Sequence, residues 1–90
     1  MPKIVVKFFQ DFRELTGVSS MEMNVDQPMS LLTLLNILSE HYQKLKPVLE
    51  DFERKGSAII LVNGRTPIDA SSALIKGGEE IAILPMMEGG

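Results

Sequence analysis

The sequence predicts an α+β fold in which a mixed sheet of four to five strands packs on one long helix. Segments near both ends of the chain alternate apolar and polar side chains with the period of a strand, and a central leucine-rich segment repeats with the period of a helix. The elements follow in the order strand, strand, helix, strand, short strand, strand. One sheet covered by one helix buries the apolar faces of such a series.

The totals indicate a single globular domain covering residues 1–90. A chain of 90 residues supports one modest core, and its 44% hydrophobic and 23% charged residues are ordinary globular values. Its nine Lys and Arg residues are scattered among acids, and the formal net charge is -3. Because no basic stripe is present, we expect no nucleic-acid partner.

The composition also excludes several kinds of site. Zero cysteines exclude disulfides, thiolate metal sites and a catalytic thiol, and the single histidine, His41, has no second ligand at metal-binding spacing. No apolar run approaches the ~18 residues of a membrane span, and no secretory leader is evident. We therefore expect no metal site, no membrane partner and a cytoplasmic location.

The first two strands are predicted to form an antiparallel hairpin. Residues 3–9 alternate, with one apolar face made of Ile4, Val6 and Phe8, and residues 21–26 alternate in the same way. The loop between them contains a single predicted helical turn, residues 11–16, which Gly17 closes.

One long helix is predicted to follow the hairpin. Ser30 can cap its free amides, and the helix is about 15 residues long until Pro47 ends it. Its core-facing stripe consists of Leu31, Leu34, Leu35, Leu38, Tyr42 and Leu45. Residues 47–57 are charged and irregular, which indicates an exposed connection.

The C-terminal third is predicted to contribute the remaining strands. Residues 58–62 form a continuous apolar run typical of a strand covered on both faces, and Asn63-Gly64 predicts a tight turn. A short edge strand is expected at residues 65–69 and a turn of helix at residues 71–78. Residues 79–84 form the last strand.

A right-handed crossover through the helix makes residues 58–62 parallel to an earlier strand and leaves the last strand in the middle of the sheet. This is the β-grasp arrangement found in ubiquitin. Pro85 lacks an amide proton and ends the ladder, so residues 86–90 are predicted to form a flexible tail on a firmly held base.

The chain ends in a diglycine, Gly89-Gly90. Glycine has no Cβ, so the pair can pass through a channel too narrow for side chains and deliver the Gly90 carboxylate into another protein's active site. The alternative is a frayed or engineered tail, because two terminal glycines arise by chance in about one chain in 200. The diglycine is therefore evidence for a functional C-terminus only in combination with the other sequence features.

Three segments carry a resemblance to a known family. They are Phe-Phe-Gln-Asp-Phe-Arg-Glu-Leu-Thr-Gly at residues 8–17, Leu-Val-Asn-Gly at residues 61–64, and the closing residues 74–90, in which a glycine-rich acidic turn, an apolar strand, proline and diglycine follow one another. Together they resemble the MoaD/ThiS family of ubiquitin-like sulfur carriers, and more closely its MoaD branch, the small subunit of molybdopterin synthase. Pro85-Met86-Met87 stands where that branch often has Pro-Pro-Val.

The resemblance implies a carrier that is not catalytic alone. A separate MoeB-like adenylating enzyme would use ATP to join Gly90 to AMP, and a sulfur donor would then displace AMP to leave a thiocarboxylate. A larger, MoaE-like synthase subunit would receive that sulfur for a pterin precursor. The carrier itself binds no cofactor. The alternatives are a modifier conjugated to target lysines, or a sulfur carrier for thiamine synthesis or tRNA thiolation.

Partner contacts are expected on the sheet face opposite the helix and along the tail. Strand alternation assigns to that face the apolar side chains of Val5, Phe9, Ile60, Val62 and Leu84. The alternative is that some of these alternations are out of phase and the residues belong to the core. Two cations, Arg13 and Arg65, could rim this face, engage acids of the activating enzyme or stay solvated. Three tail residues are expected to fit a partner groove: Met86, Met87 and Glu88.

Overall fold

The chain contains six strands and four helices within the residues that the computed structural model describes, 2–50 and 52–86. The strands in these residues are β1 (Lys3–Phe8), β2 (Ser20–Asn24), β3 (Met29–Ser30), β4 (Ala58–Val62), β5 (Leu74–Ile75) and β6 (Glu80–Pro85). The helices are α1 (Asp11–Thr16), α2 (Leu31–His41), α3 (Lys46–Leu49) and α4 (Phe52–Lys55), with a 3₁₀ turn at Gln43–Leu45. None of these helices is long and apolar enough to cross a membrane.

The main sheet has the strand order β2-β1-β6-β4. β1 pairs antiparallel with β2 and parallel with β6, while β4 pairs antiparallel with β6. β4 therefore runs in the same sense as β2, at the opposite edge. The α+β class, the first hairpin, the crossover and the central position of the last strand are confirmed as predicted.

The core lies between this sheet and α2. The even-numbered residues of β1 are buried, and so are Ile81 and Ile83 of β6, because successive side chains of a strand point to opposite faces. Facing them, α2 buries Leu31, Leu34, Leu35 and Leu38. Burying each such leucine contributes about 1.5–3 kcal/mol, so this layer is the main source of stability.

The start of α2 has its free amides satisfied. The Ser30 hydroxyl accepts a hydrogen bond from the Thr33 amide at 3.1 Å, as the sequence predicted. The Leu31 amide donates to the Ala73 carbonyl at 2.8 Å. The helix ends at His41 and not near Pro47, because Tyr42 takes an extended conformation with φ -119° and ψ 91°. The predicted length of about 15 residues is wrong.

The prediction of an exposed connection at residues 47–57 is also wrong. Leu49 and Phe52 are buried in the core and belong to α3 and α4. Pro47 lies in the first turn of α3, where its missing amide proton costs no helical hydrogen bond. A proline that was expected to end one helix instead helps to begin another.

Two further predictions in the C-terminal third fail. Residues 65–69 form no edge strand, because only Arg65 bridges back to Val62. Residues 71–78 contain the short strand β5, which pairs with β3, and no helix. A single turn is closed by the Ala73 amide, which donates to the Asp69 carbonyl at 3.2 Å, and it ends before β5 begins. The Asn63-Gly64 turn is confirmed: both residues have positive φ, 52° and 79°.

Candidate functional site

The candidate site is the end of β6, from which the C-terminal residues continue, together with the sheet face beside it. β6 is hydrogen-bonded on both sides, and its last residue, Pro85, lies opposite Ala58 of β4. On the other side, the Phe9 amide donates to the Ile83 carbonyl at 3.1 Å. The base of the C-terminal segment is therefore held by both neighbouring strands.

The start of β6 is fixed by Asn63, which follows β4. The Asn63 amide donates to the Glu80 carbonyl at 2.8 Å, and the Asn63 side-chain oxygen Oδ1 accepts from the Glu80 amide at 2.9 Å. Both main-chain groups of Glu80 are thus bound by one residue. We call this pair of hydrogen bonds the Asn63 latch.

The loop before β6 is stabilised by the Glu79 carboxylate. It accepts hydrogen bonds from the Lys76 amide at 2.9 Å and the Gly77 amide at 2.7 Å. Burial raises the pKa of the Glu79 carboxyl, but these amide donors and the positive charge of Lys76 outweigh burial, so the pKa lies below its ordinary value. Folding therefore favours the ionised form of the Glu79 side chain.

Beyond Pro85 the structure describes only Met86, a residue that is 47% exposed. Met87, Glu88, Gly89 and Gly90 lie outside the described residues, so the predicted sulfur-carrying terminus and most of the predicted flexible tail stay predictions.

The sheet face opposite α2 carries an apolar area next to this exit. The register of the antiparallel pair sets Ile59 beside Leu84 and Leu61 beside Ala82. Val5 and Phe9 follow the same alternation along β1 and just past its end. All are half-buried, but Val5 lies between Glu22 and Glu80, its partners on the two neighbouring strands, and charged side chains separate it from the others. The remaining five make up what we call the outer patch: Phe9, Ile59, Leu61, Ala82 and Leu84. A contiguous apolar area of this kind is typical of an interface.

Two residues predicted for this face lie on the other one. Ile60 is 3% exposed within the core, and Val62 packs against the core. Their assignment to the outer face is wrong because residues 58–62 are all apolar and contain no alternation to set the phase. Ile59 and Leu61 were missed for the same reason. Their face could be inferred only from the pairing with β6, because Leu84 on the outer face favours an apolar neighbour such as Ile59.

The remaining half of the outer face is charged. Lys3 pairs with Glu22 at 3.7 Å and Lys7 with Glu80 at 3.3 Å. Such exposed pairs contribute about 0–1 kcal/mol each, so their importance for stability is small. They do mark where the apolar half of the face ends.

The two candidate arginines lie at opposite ends of β6. Arg13, on α1, donates from Nε to the Phe8 carbonyl at 3.3 Å and lines a shallow depression with Phe9, near the exit. Arg65 follows the Asn63-Gly64 turn, beside the start of β6. The four residue steps from Ile81 to Pro85 separate these ends by roughly 13 Å. Only Arg13 shares the exit.

In the described ranges, no group of three or more His, Asp or Glu side chains could hold a metal ion. The features that the site does offer are a strand end hydrogen-bonded on both sides and an apolar surface beside it. These features suit delivery of a chain terminus to a partner.

Comparisons with known proteins agree on this architecture. A sequence model of the ThiS family matches residues 6–90. Small archaeal modifier protein 3 of Haloferax volcanii is 29% identical over 91 residues, covering 98% of this chain and 99% of that protein.

Among solved structures, a Pyrococcus furiosus protein provisionally described as molybdopterin converting factor subunit 1 has a TM-score of 0.81 and 25% identity, covering 97% of this chain and all of that one. Small archaeal modifier protein 1 of Methanosarcina acetivorans has a TM-score of 0.78 and 30% identity, with coverage of 100% and 98%. A complex of subunits 1 and 2 of the Helicobacter pylori molybdopterin-converting factor matches at TM-score 0.61 and 23% identity, with coverage of 98% and 99%, and bears on the fold alone.

Proposed function

The chain belongs to the ThiS family of small ubiquitin-like carriers and modifiers, and we propose that it is a sulfur carrier for molybdopterin synthesis. Proteins of this family carry a reacting group and do not catalyse its transfer themselves, so the chain is not an enzyme on its own. In the proposal, sulfur is bound as a thiocarboxylate on Gly90.

The observation that carries this proposal is the central position of β6. A strand bonded on both sides holds Pro85 firmly, and the sequence then continues for five residues to Gly90. Five extended residues reach at most about 17 Å from the body. Such a terminus can enter a partner's pocket while the domain stays outside.

The proposed chemistry has two steps, both catalysed by partners. A Gly90 carboxylate oxygen attacks the α-phosphorus of ATP, pyrophosphate leaves, and an acyl adenylate forms. Hydrosulfide, the simplest sulfur donor, then attacks the carbonyl carbon and loses its proton, AMP leaves, and a thiocarboxylate remains. Because Gly89 and Gly90 have no side chains, neither step is hindered. ATP enters only as a substrate of the adenylating enzyme, and we propose that the reaction occurs in the cytoplasm.

Two partners follow from this proposal. One is a MoeB-like adenylating enzyme, and the other is a larger MoaE-like synthase subunit that receives the sulfur. The outer patch beside the exit is the proposed docking surface for both, with Arg13 at its edge. In the H. pylori protein, subunit 1 of the molybdopterin-converting factor is seen in complex with subunit 2.

Intact mass spectrometry tests the proposal. The chain ending at Gly90 is incubated with ATP, the cognate adenylating enzyme and a sulfur source. We expect a gain of about 16 Da as one oxygen becomes sulfur. The matched control is a chain lacking Gly90, which should gain nothing while keeping the same thermal midpoint. If the complete chain gains no mass with an adenylating enzyme that is active on its own carrier, the proposal is wrong.

A second function is supported by the two archaeal modifiers among the relatives. In that case the Gly90 adenylate is consumed by a lysine amine of a target protein, and an isopeptide bond forms with loss of AMP. Branched peptides carrying the C-terminal residues on lysine, recovered from a cell digest, would support this function. Their appearance without any thiocarboxylate-dependent pterin product would favour it over the first. Sulfur delivery for thiamine synthesis or tRNA thiolation would instead give the thiocarboxylate without a pterin product.

A further inference from the structure

Asn63 both binds the start of β6 and precedes a glycine. It forms the Asn63 latch on the first residue of β6, and it is followed directly by Gly64 in an exposed turn. The space where a Gly64 side chain would stand is open, with no atom within 4 Å. The latch and the turn involve the same side-chain amide.

An asparagine followed by glycine can react with its own main chain. The Gly64 nitrogen attacks the Asn63 side-chain carbonyl carbon and loses its proton, a new carbon–nitrogen bond closes a five-membered succinimide, and the side-chain nitrogen leaves as ammonia. Water then opens the ring at either carbonyl. The products are aspartate or isoaspartate, and the balance is one water consumed for one ammonia released.

The native turn opposes this attack. Positive φ at both Asn63 and Gly64, with reciprocal hydrogen bonds between Val62 and Arg65 of 2.8 and 3.1 Å, defines a two-residue turn of the I′ type. In that conformation the Gly64 nitrogen points away from the Asn63 Cβ atom. The Asn63 Oδ1 atom also accepts a hydrogen bond from the Glu80 amide, which restrains the side chain. The ring can close only after the turn and the latch have both opened.

We propose that Asn63 is a site of spontaneous deamidation that the docking of β6 controls, so that the reaction proceeds only when this end of the sheet opens. The aspartate product keeps an oxygen that can accept from Glu80. The isoaspartate product adds one methylene to the main chain, so a two-residue turn can no longer close between Val62 and Arg65. Chains that have reacted this way lose the latch on the strand that leads to Gly90.

The first test compares folded and unfolded protein. The full chain is incubated at pH 8 and 37 °C across a urea series that spans its unfolding transition, and the peptide containing residues 62–65 is followed by its gain of about 1 Da and by separation of the isoaspartate form. We expect the reaction to be at least tenfold slower in the folded protein than in the unfolded protein at matched ionic strength. Equal rates would overturn the proposal. The Asn63→Asp variant gives the reference mass and retention time.

The second test removes only the latch donor. Glu80→Pro and Glu80→Ala both lose the carboxylate that pairs with Lys7, but only the proline lacks the amide proton that Asn63 Oδ1 accepts. Proline is tolerated at the first residue of a strand. We expect deamidation in the folded Glu80→Pro variant to be at least threefold faster than in Glu80→Ala, and equal rates would contradict the latch. If the proline variant does not fold, the urea series alone decides.

Discussion

The Phe9 amide donates a hydrogen bond to the carbonyl of Ile83, 3.1 Å away and two residues before Pro85. This bond ties the end of the first strand to the end of the last one. Phe9 also belongs to the outer patch, so the patch and the exit of the C-terminal segment occupy one end of the sheet. A partner that binds the patch is thereby brought next to the residues that lead to Gly90.

Adjacent isoleucines of β4 should differ sharply in their importance for stability. Ile60→Ala empties a core site and should lower the free energy of unfolding by about 2–5 kcal/mol. Ile59→Ala, on the outer face, should cost about 1 kcal/mol or less. Urea denaturation of both variants measures the difference. A larger loss for Ile59→Ala would mean that Ile59, and not Ile60, faces the core.

The outer patch should be required for partner binding. Ile59→Ser removes an apolar contact with a burial value of about 1.5–3 kcal/mol, so affinity for the adenylating enzyme should fall roughly tenfold or more. Ile68→Ser is the matched control, because Ile68 is 98% exposed in the loop after the Asn63-Gly64 turn and lies outside the patch. Isothermal titration with each variant measures the affinities, and similar losses for both would argue against the patch.

Gly77 and Gly78 should respond differently to alanine. Both have left-handed φ, 123° and 89°, so both substitutions carry strain of about 1–3 kcal/mol. A Cβ on Gly77 would also collide with the Pro2 ring, whereas one on Gly78 meets open space. Gly77→Ala should therefore be less stable than Gly78→Ala by at least about 1 kcal/mol in thermal or urea unfolding. Equal costs would mean that Pro2 moves aside freely.

Glu79 should make stability depend on pH. Its pKa in the folded state lies below the ordinary value of 4.5, so its ionised form stabilises the fold above that value, and this contribution is lost as the pH falls through the folded-state pKa. Glu79→Gln should lower the unfolding midpoint at pH 7, and the difference from the unsubstituted chain should shrink as the pH falls below the ordinary value of the Glu79 pKa.

Glu14→Gln is the control for this comparison, because the Glu14 side chain makes no hydrogen bond or ion pair with the part of the chain that the structure describes. It should leave the midpoint unchanged at pH 7 and at pH 2. A difference for Glu79→Gln that persisted at pH 2 would show that the side chain acts through its shape and not through its charge.

Local patterns predicted most of the fold. Period-two segments gave the first hairpin, Ser30 gave the start of α2, and Asn63-Gly64 gave the tight turn, because each depends on neighbours within a few residues. The failures depend on distant partners. β5 consists of two residues, too few for any period, and exists because β3 lies beside it.

The residues of the candidate site show the same contrast between local patterns, which the sequence reveals, and distant pairing, which it does not. Leu84 and Val5 alternate with buried neighbours, so sequence alone assigned them to the correct face. Ile60 and Val62 lie in a run of five apolar residues, whose phase is decided only by pairing with β6. Leu49 and Phe52 are core residues inside a charged segment, where two isolated apolar side chains form no recognisable stripe.

The parallel pairing of β1 with β6 has a mechanical consequence. Four residue pairs, from Val5 with Glu80 to Phe8 with Ile83, join two strands that run in the same sense. Tension between the N-terminal end of β1 and the C-terminal end of β6 acts along both strands, so it strains their hydrogen bonds all together and not one after another. A partner that pulls on the end at Gly90 while the N-terminal end of β1 is held would therefore load this pair of strands in shear.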